Sequence, residues 1–497
     1  MTTENLWPRP LLLALLAALA GLGDGCPARC ECSTVDRSVL CSHRRLSSVP
    51  DGLAPDCQRL DLSQNRLRRL SRIMFGHPRA LRELDLSQNL IARIEPGTFS
   101  LLSELRSLRL ARNQLKTVAP GTFAGLQALL ELDISHNGIA LLLEHSLQEL
   151  TALRSLDAGH NQLLFLAPEA LGGLRELQWL SLEQSSLAAV PSAALARLPQ
   201  LQELRLGGLN ARALRPGSFP ALPALRLLEL DWWPALAWLE PGSLQGLNLS
   251  SLSLTRCNLT RLPWAALEPL RHLQRLDVSH NPLAELSAPP PLLPLCGSLR
   301  QLHLAGCRLQ ALPEGALRGL ARLQLLNVSG NRLQTLDEAA LPAALRSLAL
   351  ADNPLACDCR LRWVLGRPQL NFGPHPPVCR GPAALRGLPL ADIAEAGQLS
   401  CEGVIPNCPA PCNSSPPAPT PGPFPPQRRL DARALAVVLA VGFLPFLSSI
   451  ALCFLFIFFW SRGRGNIKYS AHIAYVPRQN EPSPVPSEDN KFTMKLM

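Results

Sequence analysis

Leucines recur at fixed intervals from Cys57 to Asn353. Written from Cys57, the pattern L-x-x-L-x-L-x-x-N-x-L returns at every twenty-fourth position. Asn65, Asn89, Asn113, Asn137 and Asn161 hold one column; Ser185, Leu209, Trp233 and Cys257 continue it, and Asn281 restores it. The interval lengthens by two before Cys307, is regular again to Asn331 and shortens by two before Asn353, which makes thirteen repeats. Within each repeat a stretch such as Leu84-Asp85-Leu86 alternates apolar with polar, the period of a strand buried on one side. One repeat alone has nothing to bury its leucines against. Consecutive repeats must therefore stack into a curved solenoid with a parallel sheet on its inner side. Thirteen strands spaced by about 4.8 Å give a sheet roughly 60 Å long. The column asparagine falls in the turn after the strand, where its amide donates and accepts for the backbone of adjoining turns. Leucine and tryptophan are expected to fail in that role, so repeats 7 and 8 must route those bonds differently.

The pattern resembles the leucine-rich repeats of extracellular proteins and covers about three fifths of the chain. The resemblance implies an α/β leucine-rich repeat solenoid with a curved parallel sheet on the concave face, disulfide caps at both ends and one transmembrane helix. A solenoid needs covers because its terminal repeats otherwise expose leucine to water. Residues 26–56, with Cys26, Cys30, Cys32 and Cys41, resemble the N-terminal cysteine cap of such proteins, and residues 354–401, with Cys357, Cys359, Trp363, Cys379 and Cys401, the C-terminal one. In both, the resemblance pairs first with third and second with fourth: Cys26–Cys32, Cys30–Cys41, Cys357–Cys379 and Cys359–Cys401. Zinc is the competing reading of these cysteines, but even sets flanking a repeat array in a secreted chain favour disulfides. No cofactor or metal is expected.

The middle of the array is irregular. Repeats 6–9 lack the column asparagine, repeat 8 carries one extra residue between Trp233 and Leu239, and Pro289–Pro291 stretch repeat 10. Phe75, Phe99 and Phe123 recur where convex-side aromatics fill the core, and Trp233 and Trp238 are expected in the core as well. Cys57, in a leucine position, reads as a buried thiol. Cys257 and Cys307 in the column read as packing residues; the competing role, by resemblance to some leucine-rich membrane proteins, is tethering a latent growth factor through an unpaired thiol.

Topology follows from composition along the chain. Residues 1–25 read as a secretory signal, with an apolar run from Leu11 to Leu22 ahead of small residues. Residues 402–433 form a proline-rich stalk. Residues 434–460 carry no charge and suffice to span a membrane. Residues 461–497 are a short tail opening with Arg462, Arg464 and Lys468, as on a cytoplasmic side. The net charge of +10 does not mark a nucleic-acid groove, because the concavity-facing positions carry twelve arginines and twelve acidic residues. Four sequons, at Asn248, Asn258, Asn327 and Asn413, precede the span. His136, His160 and His280 stand on separate turns with no motif pairing them to a nucleophile, so no enzyme is expected.

Two tryptophans stand out at solvent-facing strand positions, Trp179 and Trp232, close in the repeat frame to Arg205, Glu229 and Asp231. Exposed tryptophan and arginine are the types enriched at binding hot spots. Arg106 and Arg109 form a second candidate, set between acidic positions. Asn327 points into the concavity of repeat 12, where a glycan blocks the C-terminal part of the face, so ligand contacts are expected to favour repeats 1–9. The expected function is a type I plasma-membrane glycoprotein that binds an extracellular or membrane protein on its repeats, as adhesion molecule or receptor. The alternative is an accessory subunit or growth-factor tether acting on another signalling protein. Homodimerisation is left open.

Overall fold

Every repeat contributes a three-residue strand, from Arg59–Asp61 in the first to Ser347–Ala349 in the thirteenth. The central residue of each is a buried leucine, and these leucines stand in register, as in Leu60 beside Leu84 and Leu326 beside Leu348. The computed structural model describes residues 26–76, 78–289, 294–395 and 399. The expected signal, stalk, span and tail, with Cys401 and Asn413, lie outside the described residues. Among the described residues, no helix is long and apolar enough to cross a membrane.

A hairpin of Glu31–Ser33 and Ser38–Leu40 precedes the array, and its second strand pairs parallel with Arg59–Asp61. The concave sheet therefore has fifteen strands, parallel throughout the repeats. Disulfides join Cys26 to Cys32 and Cys30 to Cys41 under this hairpin, and Cys357 to Cys379 at the other end. Trp363 closes the last repeat by donating its indole N–H to the Leu336 carbonyl at 2.9 Å.

The helical half of the expected α/β fold shrinks to single turns such as Ser192–Leu195 and Trp264–Leu267, with Leu390–Glu395 in the C-terminal cap. The molecule is a β-solenoid. The return leg of so short a repeat has few residues to spend, and a helix rises only about 1.5 Å per residue; turns and 3-10 stretches cover more distance. Under those turns Phe75, Phe99 and Phe123 pack at 5.8 and 6.3 Å between ring centres, the first pair tilted and the second stacked, all buried.

A second row of two-residue strands runs along the flank, one residue of each pointing in and one out. Here Ala213 pairs with Trp238, one position beyond the regular interval that pairs Leu227 with Ser251 in the concave sheet. The extra residue of repeat 8 is thus absorbed on this flank. It also corrects the placement of Trp238: Leu239 takes the inward position and Trp238 is 53% exposed.

The column behaves as expected where it holds asparagine. Asn113 donates to the carbonyls of Leu86, Leu110 and Ala111, and its Oδ1 accepts from the Ile91 amide. The bond back to Leu86, in the preceding repeat, stitches each repeat to its neighbour. Where asparagine is missing the expectation needs correcting: the indole N–H of Trp233 makes the same stitch, to the Leu206 carbonyl of the preceding repeat. Cys257 donates its thiol to Leu230 O, and Cys307 to Val278 O, each at 3.3 Å. Only Ser185, whose buried hydroxyl finds no partner, and Leu209 leave the stitch unmade. The column selects for a buried donor, and three chemically different side chains supply one.

Burial pushes the Cys257 thiol up to about 12 and the Cys307 thiol to about 11, so both keep the proton their hydrogen bonds use. A tether needs a thiolate that a partner can reach. Neither is one: both are buried, as is Cys57, pushed up to about 11.

Candidate functional site

In the turn that follows each concave strand, the residue before the column position adopts the left-handed conformation. Gln88, Arg112, His136, His160, Gln184, Trp232, Arg256 and His280 all have φ between 48° and 60°. This places these side chains on the lip of the concavity, in a ladder that Gly208, Gly306 and Gly330 interrupt in repeats 7, 11 and 12. His136 and His160 stack within it at 4.1 Å and nearly parallel. Burial, His160 and Arg112 together hold His136 below the ordinary imidazole value. Trp232 is the ladder's largest member and is 52% exposed. The Arg256 guanidinium, one repeat further on, lies over its ring at 4.3 Å.

Beside Trp232 the strands of repeats 6–8 bring Trp179, Arg205, Glu229 and Asp231 together. Arg205 lies over the Trp179 ring at 5.6 Å and its Nε is 3.1 Å from Glu229, with Glu183 at 3.8 Å on its other side. Asp231 accepts from the Ser253 hydroxyl at 2.7 Å and the Thr255 amide at 2.8 Å, which fixes the start of the Trp232 turn. A hollow of about 150 Å³ opens between Glu183, Gln184, Gly207, Glu229, Asp231 and Trp232. Glu183, Glu229 and Asp231 line this hollow, and Arg205 pairs with the two glutamates. Burial raises the Glu229 carboxyl above its ordinary value, and Arg205 only partly offsets this.

Arg106 and Arg109 belong elsewhere, on repeat 3. Arg109 is 3.8 Å from Asp85, and both arginines line a shallow hollow of about 410 Å³ with Arg59, Arg82 and Glu83. That surface is a mesh of neighbouring ion pairs, including Arg59–Glu83 at 2.7 Å, rather than an anchor. Arg256 is the residue sequence reasoning missed. The signal was present, since it stands one regular interval after Trp232, in the same position of the next repeat. Asn248 and Asn258 are exposed, while Asn327 lies on the repeat 12 strand with its Oδ1 accepting from the Ser329 amide and hydroxyl.

Asn327 occupies a position held in other repeats by aspartate, each bonding the amide two residues on: Asp61, Asp85, Asp133, Asp157 and Asp277. Burial, with Asp133 adding to it, raises the Asp157 carboxyl. Above that raised value the carboxylate is charged in both folded and unfolded chains, and its burial opposes folding. As pH falls through it, the folded chain takes a proton that the unfolded chain takes only near 4, so Asp157 favours folding increasingly with acid. Asp157→Asn keeps the acceptor for Gly159 and removes the charge. It is expected to raise the urea midpoint at pH 7 and to flatten the rise in stability on mild acidification; an unchanged pH profile would refute this.

Residues 55–115, 103–163, 159–211 and 297–355 match the family described as leucine rich repeat, and residues 376–402 match the leucine rich repeat C-terminal domain. The Trp232 region falls between the matched stretches. Among curated proteins, the chain is similar to zebrafish (Danio rerio) leucine-rich repeat and immunoglobulin-like domain-containing nogo receptor-interacting protein 1-B, 48% identical over 62 residues. It is likewise similar to protein 2 of that name from Mus musculus, 48% over 62 residues, and to the mouse protein 3, 50% over 54. The first two alignments cover 12% of this chain and 10% of the relative, the third 11% and 9%. The chain thus matches only about a tenth of the length of these relatives. With matches on both the array and the segment that closes it, the chain carries leucine rich repeats followed by a leucine rich repeat C-terminal domain.

Proposed function

We propose that this chain is a type I cell-surface glycoprotein that binds a protein partner on the concave face of repeats 6–9, as adhesion molecule or receptor. The observation that carries the reading is Trp232: a half-exposed indole on the lip of the concavity, backed by Arg256 and set beside an acidic hollow. Tryptophan and arginine anchors next to a recess are what hot spots are made of. The relatives are named for interacting with a receptor, which supports a binding role rather than a catalytic one. In this reading residues 1–25 direct secretion, residues 434–460 span the membrane once, and Asn248, Asn258, Asn327 and Asn413 carry glycans. The Asn327 glycan keeps ligand off the C-terminal repeats.

The test is a screen of the secreted ectodomain against surface and secreted proteins, followed by Trp232→Ala and Trp179→Ala. Trp232→Ala is expected to weaken the partner's binding by about 2 kcal/mol or more, close to thirtyfold, and Trp179→Ala by less. Unchanged affinity in both, with unchanged unfolding midpoints, would move the site off this face. A partner on the opposing cell supports adhesion. One that co-purifies from the same membrane supports the accessory-subunit alternative.

A further inference from the structure

The flank of the solenoid carries a surface that the concave site does not use. The outward residues of the second strand row run, repeat by repeat, Arg69, Arg93, Thr117, Leu141 and Phe165. Register places Arg69 beside Arg93, Thr117 beside Leu141, and Leu141 beside Phe165. In the preceding column Lys116, Ala140 and Leu164 follow one another through backbone bonds of 3.2 and 2.8 Å. Leu141, Leu143, Leu164 and Phe165 are 37–61% exposed, whereas the leucines of the repeat core are buried. Such a contiguous patch on a soluble surface marks a contact site.

The adjoining repeats 1–3 are basic. Arg66, Arg68, Arg69, Arg93 and Lys116 are all exposed on this flank. Among the described residues none of the five is within ion-pair distance of a carboxylate, although Arg59 and Arg82 nearby, on the concave side, both have acidic partners. Two arginines directly side by side repel, and among the described residues no carboxylate forms an ion pair with either of them.

We propose that this flank docks a protein segment with an acidic stretch leading into apolar residues, its carboxylates over repeats 1–3 and its apolar side chains on Leu141, Leu164 and Phe165. Charge selects this occupant over a second copy of the chain. Pairing two flanks antiparallel would set the arginines of repeats 1–3 towards Arg212 of repeat 7, and pairing them parallel would set arginine against arginine. A membrane surface fits less well, because the basic and apolar residues are segregated along the row instead of interleaved around one patch.

The test uses the full-length protein in detergent and two fluorescent synthetic peptides. One has a run of glutamates followed by leucines and phenylalanine; the other has lysines in place of the glutamates. The acidic peptide is expected to bind about tenfold more tightly than the basic one, and salt should weaken it. Leu164→Glu with Phe165→Glu should cut that binding about tenfold or more, while Arg68→Glu with Arg69→Glu should reverse the preference towards the lysine peptide. All four side chains are exposed, so unfolding midpoints serve as the folding control. Trp232→Ala should leave this binding intact, which separates it from the concave site. The proposal is overturned by equal binding of the two peptides, by indifference to the flank substitutions, by loss with Trp232→Ala, or by capture of phosphatidylserine-containing vesicles with neither peptide bound.

Discussion

Trp233→Ala is expected to cost about 3–5 kcal/mol, the largest effect of any single substitution in the repeats. The side chain is fully buried in the column otherwise held by asparagine. Its loss leaves a void between repeats 7 and 9, and it also strands the Leu206 carbonyl that the indole N–H serves. Two further variants divide the effect. Trp233→Phe keeps most of the volume but not the donor, and should cost about 1–3 kcal/mol, the desolvation of an unpaired buried carbonyl. Trp233→Asn restores the donor but not the volume, and should fall between Trp233→Phe and Trp233→Ala. The neighbouring stitch is already unmade at Ser185 and Leu209, so the array has little to spare here. Hydrogen exchange should show the damage centred on repeats 6–8 before the ends respond, because each repeat touches only its neighbours. Urea midpoints for Trp233→Ala and Trp233→Phe that coincide would mean the hydrogen bond, not the packing, dominates. A loss below about 1 kcal/mol for both would mean that neither matters.

The regular leucine period was enough to place all thirteen concave strands, because strand position depends only on which residues must point inward. The period could not say what a tryptophan or cysteine does in an asparagine column. Residue type suggests loss of a polar group; geometry shows a donor within reach of the same carbonyl. The Trp238 misplacement has a different origin. The extra residue is visible in the sequence, and strand alternation across Trp238 and Leu239 puts only one of them inside, however hydrophobic both are. The aromatic pair on the concave face was legible from position alone; the interval also places Arg256 one repeat beyond Trp232, but its stacking on that ring depends on the left-handed turn. The apolar flank lies outside the concave-strand period, on two-residue strands whose alternation is too short to stand out in the sequence.

Replacing both Cys30 and Cys41 with serine is expected to cost about 2–5 kcal/mol, with an outcome unlike that of Trp233→Ala although the energies are similar. Cys41 is fully buried and sits against the first repeat: its amide donates to the Asp61 carbonyl at 2.8 Å, and its carbonyl accepts from Asn65 Nδ2 at 2.9 Å. The disulfide holds the hairpin strand Ser38–Leu40 on Arg59–Asp61 and so keeps Leu60 and Leu62 from water. Without it the hairpin has only three-residue strands, and a short isolated hairpin is marginal in water. The cap should open, and repeats 1 and 2 should fray behind it, since a terminal repeat with an apolar end is unstable. Repeats 10–13 lie far along the array and should keep their protection. The variant should therefore give N-terminal proteolytic cuts and a stable C-terminal core, together with reduced secretion, whereas Trp233→Ala should cut in the middle. Uniform loss of amide protection along all thirteen repeats would show that the array melts as one unit and that nearest-neighbour stacking is the wrong description of its stability. Full protection of repeats 1 and 2 in the double serine variant would show that leucine stacking holds that end without help from sulfur.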